Sequence, residues 1–279
     1  LQSAQMLMLG LYPPEIGASR RAAPAPWDAF TAVPIHAVAL KNDNVMRPWT
    51  GKTNCRRYLK FVKALPSTRL YGEQGRKYVH FLRRIASITG MNDGEKPAKI
   101  LYEINEIYEP LSSIVQHKMP LPDGISEDDL TLMRALGDWN YHHQFLGRKV
   151  GRLTGGPFVE EVARNFRRVI ERQVGARLLY VYSGHQRTIL GVEAALGIET
   201  ARTEGPLFLG RVPPLGSRYA FELHEVTGGA YAVRLVFVSG EGEQVIRIPG
   251  CDGLMCPFER FAAIVERVAP ENWRGECGF

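Results

Sequence analysis

The feature of this 279-residue sequence that most constrains its fold is a change in hydrophobic periodicity near residue 177. From about residue 55 up to that point, apolar residues recur every three or four positions, which is the spacing of one buried helix face. A compact apolar run at residues 177–183 follows, typical of a buried strand, and a helical pattern covers residues 188–197. Strand, tight turn and helix in that order form an α/β crossover unit.

The same patterns predict the other elements. A helix is expected over residues 3–11, ended by Pro13-Pro14, and further helices through most of 55–175 and over 257–268. Further strands are expected over residues 33–40, 218–226, 231–239 and 244–249, and Gly228-Gly229 predicts a turn that joins 218–226 to 231–239. We therefore predict an α/β fold, a three-layer sandwich with a central, mainly parallel sheet, into which residues 55–175 are inserted as a large helical segment.

The composition favours one globular domain over residues 1–279. Hydrophobic residues make up 45% of the chain, enough for a substantial core, and no linker or repeat separates two cores. No apolar run approaches the roughly 18 residues that a bilayer-spanning helix needs. The net charge of +6 comes from scattered basic pairs, which do not predict a nucleic-acid groove but suit an anionic substrate.

The four cysteines have more than one interpretation. Cys251 and Cys256 flank a four-residue turn, Cys277 lies close to the last residue, and Cys55 lies far upstream. Two disulfide bridges would indicate an oxidising compartment. A zinc site would need two close pairs of Cys or His ligands, and the sequence has one such pair, so no metal is predicted. Four reduced cysteines in a cytosolic protein are the remaining alternative.

The segment most indicative of chemistry is residues 182–188, Tyr-Ser-Gly-His-Gln-Arg-Thr, which places His185 between the predicted strand and helix. Ligands of open α/β sheets bind at the carboxyl ends of strands. The free amides at the start of a helix favour a phosphate, and an imidazole beside them can donate a hydrogen bond to its oxygens. The alternative is a structural histidine that only stabilises its own turn.

Several stretches of this sequence resemble the histidine acid phosphatases. They are, in chain order, Ser3-Ala4-Gln5 with Gly10-Leu11-Tyr12-Pro13-Pro14, Val33-Pro34-Ile35-His36 with Asp43, Leu153 with Gly155-Gly156, Tyr182-Ser183-Gly184-His185, and Pro249-Gly250-Cys251 through Cys256 and Phe261 to Trp273 and Cys277. The resemblance extends over essentially the whole chain. It implies a phosphomonoester hydrolase of the secretory pathway, lysosomal or extracellular, that needs no cofactor, acts on small phosphomonoesters and exists as a monomer or a homodimer.

The resemblance also implies a mechanism. In the family, a histidine of an Arg-His-Gly-x-Arg-x-Pro motif attacks phosphorus and becomes a phosphohistidine, while arginines and a second histidine hold the phosphoryl oxygens. His185 matches the second histidine, and Arg187 is a further candidate phosphate ligand, unless it is a solvent-facing helix residue. The nucleophile motif does not occur in this sequence. We therefore expect a domain that lacks its N-terminal strand and nucleophile, which would lie upstream of Leu1.

Gln186 is the main departure from the family pattern, because the family has its proton-donating Asp at that position. An amide can hydrogen-bond a leaving oxygen but cannot supply a proton. Loss of a positioned general acid typically costs about 10²- to 10⁴-fold in rate. Without the Arg-His-Gly motif and with Gln186 at the acid position, we expect this chain to be inactive. The parent protein would be a slow enzyme, an enzyme that uses another acid, or an inactive pseudophosphatase or fragment that binds a phosphorylated ligand or a protein partner.

The resemblance pairs Cys251 with Cys256, and Cys55 with Cys277. The second pair would tie the helical segment to the C-terminal residues. One more alternative is a cytosolic mutase of the wider histidine phosphatase superfamily. The C-terminal cysteines disfavour it. One feature is discordant with a lumenal protein of this family, since the sequence contains no Asn-x-Ser/Thr glycosylation site.

Overall fold

The computed structural model describes residues 2–12, 33–49, 55–91, 94–198 and 212–279. Its helices are α1 (Gln2–Leu11), α2 (Arg56–Ala64), α3 (Arg69–Lys77), α4 (Val79–Ile88), α5 (Pro97–Tyr102), α6 (Ile104–Gln116), α7 (Glu127–Phe145), α8 (Arg148–Thr154), α9 (Gly156–Ile170), α10 (Gln186–Leu196), α11 (Phe258–Val268) and α12 (Trp273–Glu276). Its strands are β1 (Arg218–Val226), β2 (Ala230–Ser239), β3 (Gly242–Ile246) and β4 (Met255–Pro257). Pro13 and Pro14, expected to end the first helix, lie outside these ranges.

The helices expected within residues 55–175 are present as α2 to α9. Their predicted apolar faces are buried, as Tyr58 and Val62 show for α2. α7 begins at a capping box, in which the Ser126 hydroxyl accepts from the Asp129 amide and the Asp129 carboxylate accepts from the Ser126 amide. No helix in the described ranges combines the length and apolarity needed to cross a bilayer. The division into one domain with a helical insertion stays a prediction.

Two groups of buried side chains hold these elements together. The first, which we call the helical core, is built mainly by α2 to α8 and includes Tyr71, Leu82 and Phe145. The second, the sheet core, joins α9, α11 and the sheet around Phe237 and Phe261. α10 contributes to both, because Leu190 and Ala194 lie in the helical core whereas Val192 and Leu196 lie in the sheet core. The middle and the end of α10 therefore lie where the two cores meet.

α8 and α9 approach their neighbours closely at glycines of the Gly155-Gly156 pair. A Cβ atom added to Gly155 would lie 1.9 Å from the Gly191 carbonyl oxygen of α10. One added to Gly156 would lie 2.6 Å from the Val268 carbonyl oxygen at the end of α11. At both positions the atoms that a Cβ would meet belong mainly to the backbone, which cannot move aside as a side chain can. This explains why two glycines stand together here.

The expected mainly parallel central sheet is not confirmed, because the strands in the described residues are antiparallel. β1, β2 and β3 lie side by side in that order, and β4 also pairs with β2. The predicted hairpin between β1 and β2 is present, with Phe221 opposite Leu235. Its turn contains Gly228 and Gly229, both with positive φ, a conformation that favours glycine.

The predicted strands at residues 33–40 and 177–183 are wrong for the structure described. Neither segment pairs with another strand in the described ranges, and residues Leu40–Asn42 form a short 3₁₀ helix. Leu178 and Leu179, expected to be buried, are 93% and 60% exposed. A strand requires a neighbouring strand for its backbone hydrogen bonds. An apolar run shows that a segment could be a buried strand, but it does not show whether such a neighbour is present.

The disulfide pairing implied by the resemblance is present. Cys55 is bonded to Cys277 and Cys251 to Cys256, so none of the four cysteines is free. The C-terminal segment also contacts α8, since Arg152 donates to both carboxylate oxygens of Glu276 at 2.7 and 2.8 Å. These contacts hold α12 against the start of α2 and against α8.

Candidate active site

The turn that precedes α10 holds His185 in a defined position. The His185 amide donates to the Thr188 hydroxyl oxygen at 3.1 Å, and the Thr188 amide donates to the His185 carbonyl oxygen at 2.8 Å. The Thr188 hydroxyl in turn donates to the Met46 carbonyl oxygen at 3.0 Å, which connects the turn to the segment at residues 33–49. Gly184 leaves no room for a Cβ, which would lie 2.7 Å from the Met46 Cε and Thr188 Oγ1 atoms.

His185 lies within the electrostatic influence of two arginines. Partial burial lowers its pKa below the usual value, and the charges of Arg47 and Arg187 lower it further. The ring is therefore held neutral at pH values where an ordinary histidine begins to protonate. Two arginine charges and an imidazole at the start of a helix form an electrostatic environment that attracts an anion.

Arg187 does not extend into solvent as a simple surface residue. Its Nε and Nη2 atoms donate to the Tyr141 hydroxyl oxygen at 3.2 and 3.0 Å, and its guanidinium lies 4.9 Å from the centre of the Tyr141 ring. The Glu106 carboxylate lies 3.5 Å from Nη2, and about a third of the Arg187 side chain (32%) remains exposed. The guanidinium thus contacts α6 and α7 while part of the side chain stays exposed.

Gln186 is hydrogen-bonded to a carboxylate. Its Nε2 atom donates to Glu109 Oε1 at 2.5 Å, and the same oxygen accepts from the Tyr141 hydroxyl at 3.1 Å. Partial burial raises the pKa of Glu109, and the charge of Glu106 raises it further. The hydrogen bonds from Tyr141 and Gln186 and the charge of Arg187 act in the opposite direction without cancelling the rise.

Tyr141 joins these two contacts because it hydrogen-bonds both Arg187 and Glu109. Burial raises its pKa to about 12, so its hydroxyl keeps its proton and donates to the carboxylate throughout the physiological range. Tyr58, which lies close enough for the Arg187 charge to affect it, also has a pKa raised by burial. Both tyrosine hydroxyl groups therefore remain neutral.

Of the residues singled out from the sequence, His185, Gln186 and Arg187 occupy one small region at the start of α10. The four cysteines lie in the two disulfides described above. Arg47, Glu109 and Tyr141 were not singled out, although they contact or face these residues. Gln186 at the family's acid position is the sequence signal for an acid elsewhere in the chain, but it does not identify Glu109. Within the described ranges, no group of three or more His, Cys, Asp or Glu side chains is arranged to hold a metal ion.

Comparison with known proteins identifies relatives along nearly the whole chain. The family model described as histidine phosphatase superfamily (branch 2) matches residues 1–238. Prostatic acid phosphatase of Rattus norvegicus is 27% identical over 285 residues, a match that covers 99% of this chain and 68% of that protein. Lysosomal acid phosphatase of Homo sapiens is 26% identical over 282 residues, with 99% of this chain and 62% of that protein covered.

Among solved structures, the phytase of Klebsiella sp ASR1 has a similar fold. The TM-score is 0.58 at 18% sequence identity, and the match covers 98% of this chain and 75% of the phytase. This likeness concerns the fold alone. It includes both the helical part of the chain and the antiparallel sheet, because nearly all of the chain is covered.

Proposed function

The chain belongs to branch 2 of the histidine phosphatase superfamily, and we propose that it forms the phosphate-binding part of a phosphomonoester hydrolase. The observation that carries this proposal is the position of His185 at the start of α10, facing the charges of Arg47 and Arg187. The relatives named as acid phosphatases support the same reaction class. The proposed substrate is a small phosphomonoester, and no cofactor is needed for this chemistry.

His185 and Arg187 have different roles in the proposed site. The neutral imidazole donates one hydrogen bond to a phosphoryl oxygen, and the exposed part of the Arg187 guanidinium neutralises charge on another. Arg47 lies near enough for its positive charge to act on the same histidine. Because negative charge on the phosphoryl oxygens must be held through the transition state, prearranged cations at this position lower the barrier as well as bind the substrate.

The proposed mechanism also needs a nucleophile. The family mechanism uses a histidine of an Arg-His-Gly motif, and no such motif occurs in the 279 residues. We propose that the intact parent protein supplies it and forms a phosphohistidine. The matched region of the rat prostatic enzyme is 68% of its length, so the relatives contain a substantial segment beyond the match.

The proposed location is the secretory pathway, either the lysosome or the outside of the cell. Two disulfides form and persist in oxidising compartments. The names of the relatives, prostatic and lysosomal acid phosphatases, support the same location.

A second candidate function is a non-catalytic protein that binds a phosphorylated ligand or a protein partner. Gln186 favours it, because the residue at the family's acid position cannot donate a proton to a leaving alkoxide. The two candidates share the phosphate site and differ in turnover. They are therefore separated by measuring binding and hydrolysis on the same protein.

The test begins with inorganic phosphate, titrated into the protein by calorimetry. His185→Ala should weaken binding about 10- to 100-fold, since a hydrogen bond to a charged group contributes about 1.5–3 kcal/mol. His80→Ala removes an exposed histidine of α4 and serves as the control. Unchanged phosphate binding in His185→Ala would contradict the assignment.

Hydrolysis of p-nitrophenyl phosphate at acid pH by the intact parent protein supports the enzyme, and binding without hydrolysis supports the second candidate.

A further inference from the structure

Glu109 is the carboxyl group that reaches the position where the family has its proton donor. Its Oε1 atom lies 2.5 Å from the Gln186 side-chain nitrogen, so only one hydrogen bond separates it from the residue that follows His185. The Tyr141 hydroxyl donates to the same oxygen at 3.1 Å and also accepts from Arg187. Glu109 is only partly buried and keeps part of its surface exposed, so that a leaving group can reach its carboxyl group.

We propose that Glu109 donates the proton to the leaving alkoxide, in place of the aspartic acid that the family carries at the position of Gln186. The proposal rests on the phosphomonoesterase function proposed above. In this arrangement Gln186 and Tyr141 are positioning residues, because both hold the carboxyl group by hydrogen bonds. Arg187 connects the proton donor to the phosphate site, since it contacts the same hydroxyl.

The groups that face Glu109 favour this role. Burial and the Glu106 carboxylate stabilise the protonated form of Glu109, whereas Tyr141, Gln186 and Arg187 stabilise the carboxylate. The balance raises the pKa above that of an ordinary glutamate, which keeps a larger fraction protonated at acid pH. An Asp at position 186 would bring a second carboxyl group against Glu109, and the two would share one proton. A Gln leaves Glu109 as the acid.

In the proposed step, Glu109 gives up its proton as the ester bond breaks and regains one from water. When the bridging P–O bond breaks, its electron pair stays on the alcohol oxygen, which takes the carboxyl proton of Glu109. The phosphoryl group forms a bond to the imidazole nucleophile of the intact parent. Water then attacks the phosphohistidine and releases its proton to the Glu109 carboxylate. Inorganic phosphate leaves, the imidazole is restored, and Glu109 is again an acid.

The experiment compares two esters with the intact parent protein. p-Nitrophenyl phosphate has a leaving group that departs as a stable anion, whereas glycerol phosphate has an alkoxide that requires a proton. Glu109→Gln keeps the shape and the hydrogen-bond acceptor of the side chain. It should lower kcat/KM for glycerol phosphate about 10²- to 10⁴-fold and have little effect on p-nitrophenyl phosphate. Glu103→Gln, which removes one carboxylate just before α6, is the matched control.

A second variant separates proton donation from a structural role. Adding Gln186→Asp to Glu109→Gln returns a carboxyl group to the site and should restore much of the glycerol phosphate activity. If wild type and Glu109→Gln are equally active on both esters, Glu109 is not the proton donor, and the proposed hydrolase function still stands. An equal loss on both esters that Gln186→Asp does not rescue would also show that Glu109 is not the proton donor. A wild type that cleaves only p-nitrophenyl phosphate would show the same. A wild type that cleaves neither ester would instead overturn the proposed hydrolase, and the donor with it.

Discussion

The protonation of His185 is controlled by its neighbours rather than by the imidazole itself. Burial lowers the pKa, and the positive charges of Arg47 and Arg187 lower it further. A bound phosphate would offset those charges and raise the pKa again, because an anion stabilises the protonated ring. Phosphate binding and proton uptake by His185 are therefore linked, and each should promote the other.

The contribution of Arg187 to this control can be measured. Arg187→Gln removes one of the two arginine charges and should raise the pKa of His185 in the phosphate-free protein. Titration of the imidazole Hε1 signal by NMR gives the shift. Arg83→Gln, which removes an exposed charge of α4, should leave that titration unchanged. A fall in the His185 pKa on removal of Arg187 would contradict the proposed electrostatics.

At this scale the sequence identified only the contiguous half of the site. His185, Gln186 and Arg187 are consecutive, so a single motif finds all three. Glu109 lies 77 residues from Gln186, and Tyr141 lies 46 residues from Arg187. Helical periodicity indicates which face of α6 is buried, but it does not tell which exposed carboxylate faces another helix.

At the scale of elements, the packing of α8 against α10 orients the helix that begins at the site. Gly151 and Gly155 allow the two backbones to touch, since a Cβ on Gly151 would lie 2.4 Å from the Ala194 carbonyl oxygen. Such contacts cannot be relieved by rotating a side chain. The two helices are therefore fixed relative to each other by Gly151 in α8 and by Gly155 directly after it.

Gly155→Ala should destabilise the protein because the added methyl group would overlap the backbone of α10. We expect a loss of about 1–3 kcal/mol in the free energy of unfolding, measured by urea denaturation. Gly240→Ala introduces the same methyl group at a turn position with open space around it and should change stability little. Equal stability of Gly155→Ala and wild type would show that α8 and α10 are not packed as described.

The elements themselves were predicted with unequal success. The helices and the β1–β2 hairpin were predicted from periodicity and turn residues, because each depends on contacts within a short stretch of chain. The strands at residues 33–40 and 177–183 were wrong, because strand formation depends on a partner elsewhere in the chain. Local pattern predicts elements whose stabilising contacts are local.

For the whole molecule, the bond between Cys55 and Cys277 joins residues 222 positions apart. It connects the start of α2 to the segment that carries α12. Trp273 reinforces this connection by donating its indole N–H to the Leu153 carbonyl oxygen of α8 at 2.9 Å. The C-terminal residues are thereby held against the helical core, of which Cys277 is a member.

The two disulfides should contribute unequally to stability. Replacing Cys55 and Cys277 by Ser should lower the free energy of unfolding by about 5 kcal/mol, because a large loop in the unfolded chain is no longer closed. The corresponding change at Cys251 and Cys256, which are five residues apart, should cost about 2 kcal/mol. Urea denaturation of both double variants measures the difference. Equal losses would contradict the loop-length explanation.

The sequence by itself determined the family, the helices, the hairpin and, through resemblance, both disulfide pairs. It also located His185 and showed that Gln186 cannot be an acid, because those conclusions depend on residue identity and short spacing. Only the tertiary structure brought Glu109 to Gln186 and Tyr141 to Arg187. Those contacts join α6 and α7 to the start of α10, and they depend on how helices distant in the chain pack around shared cores.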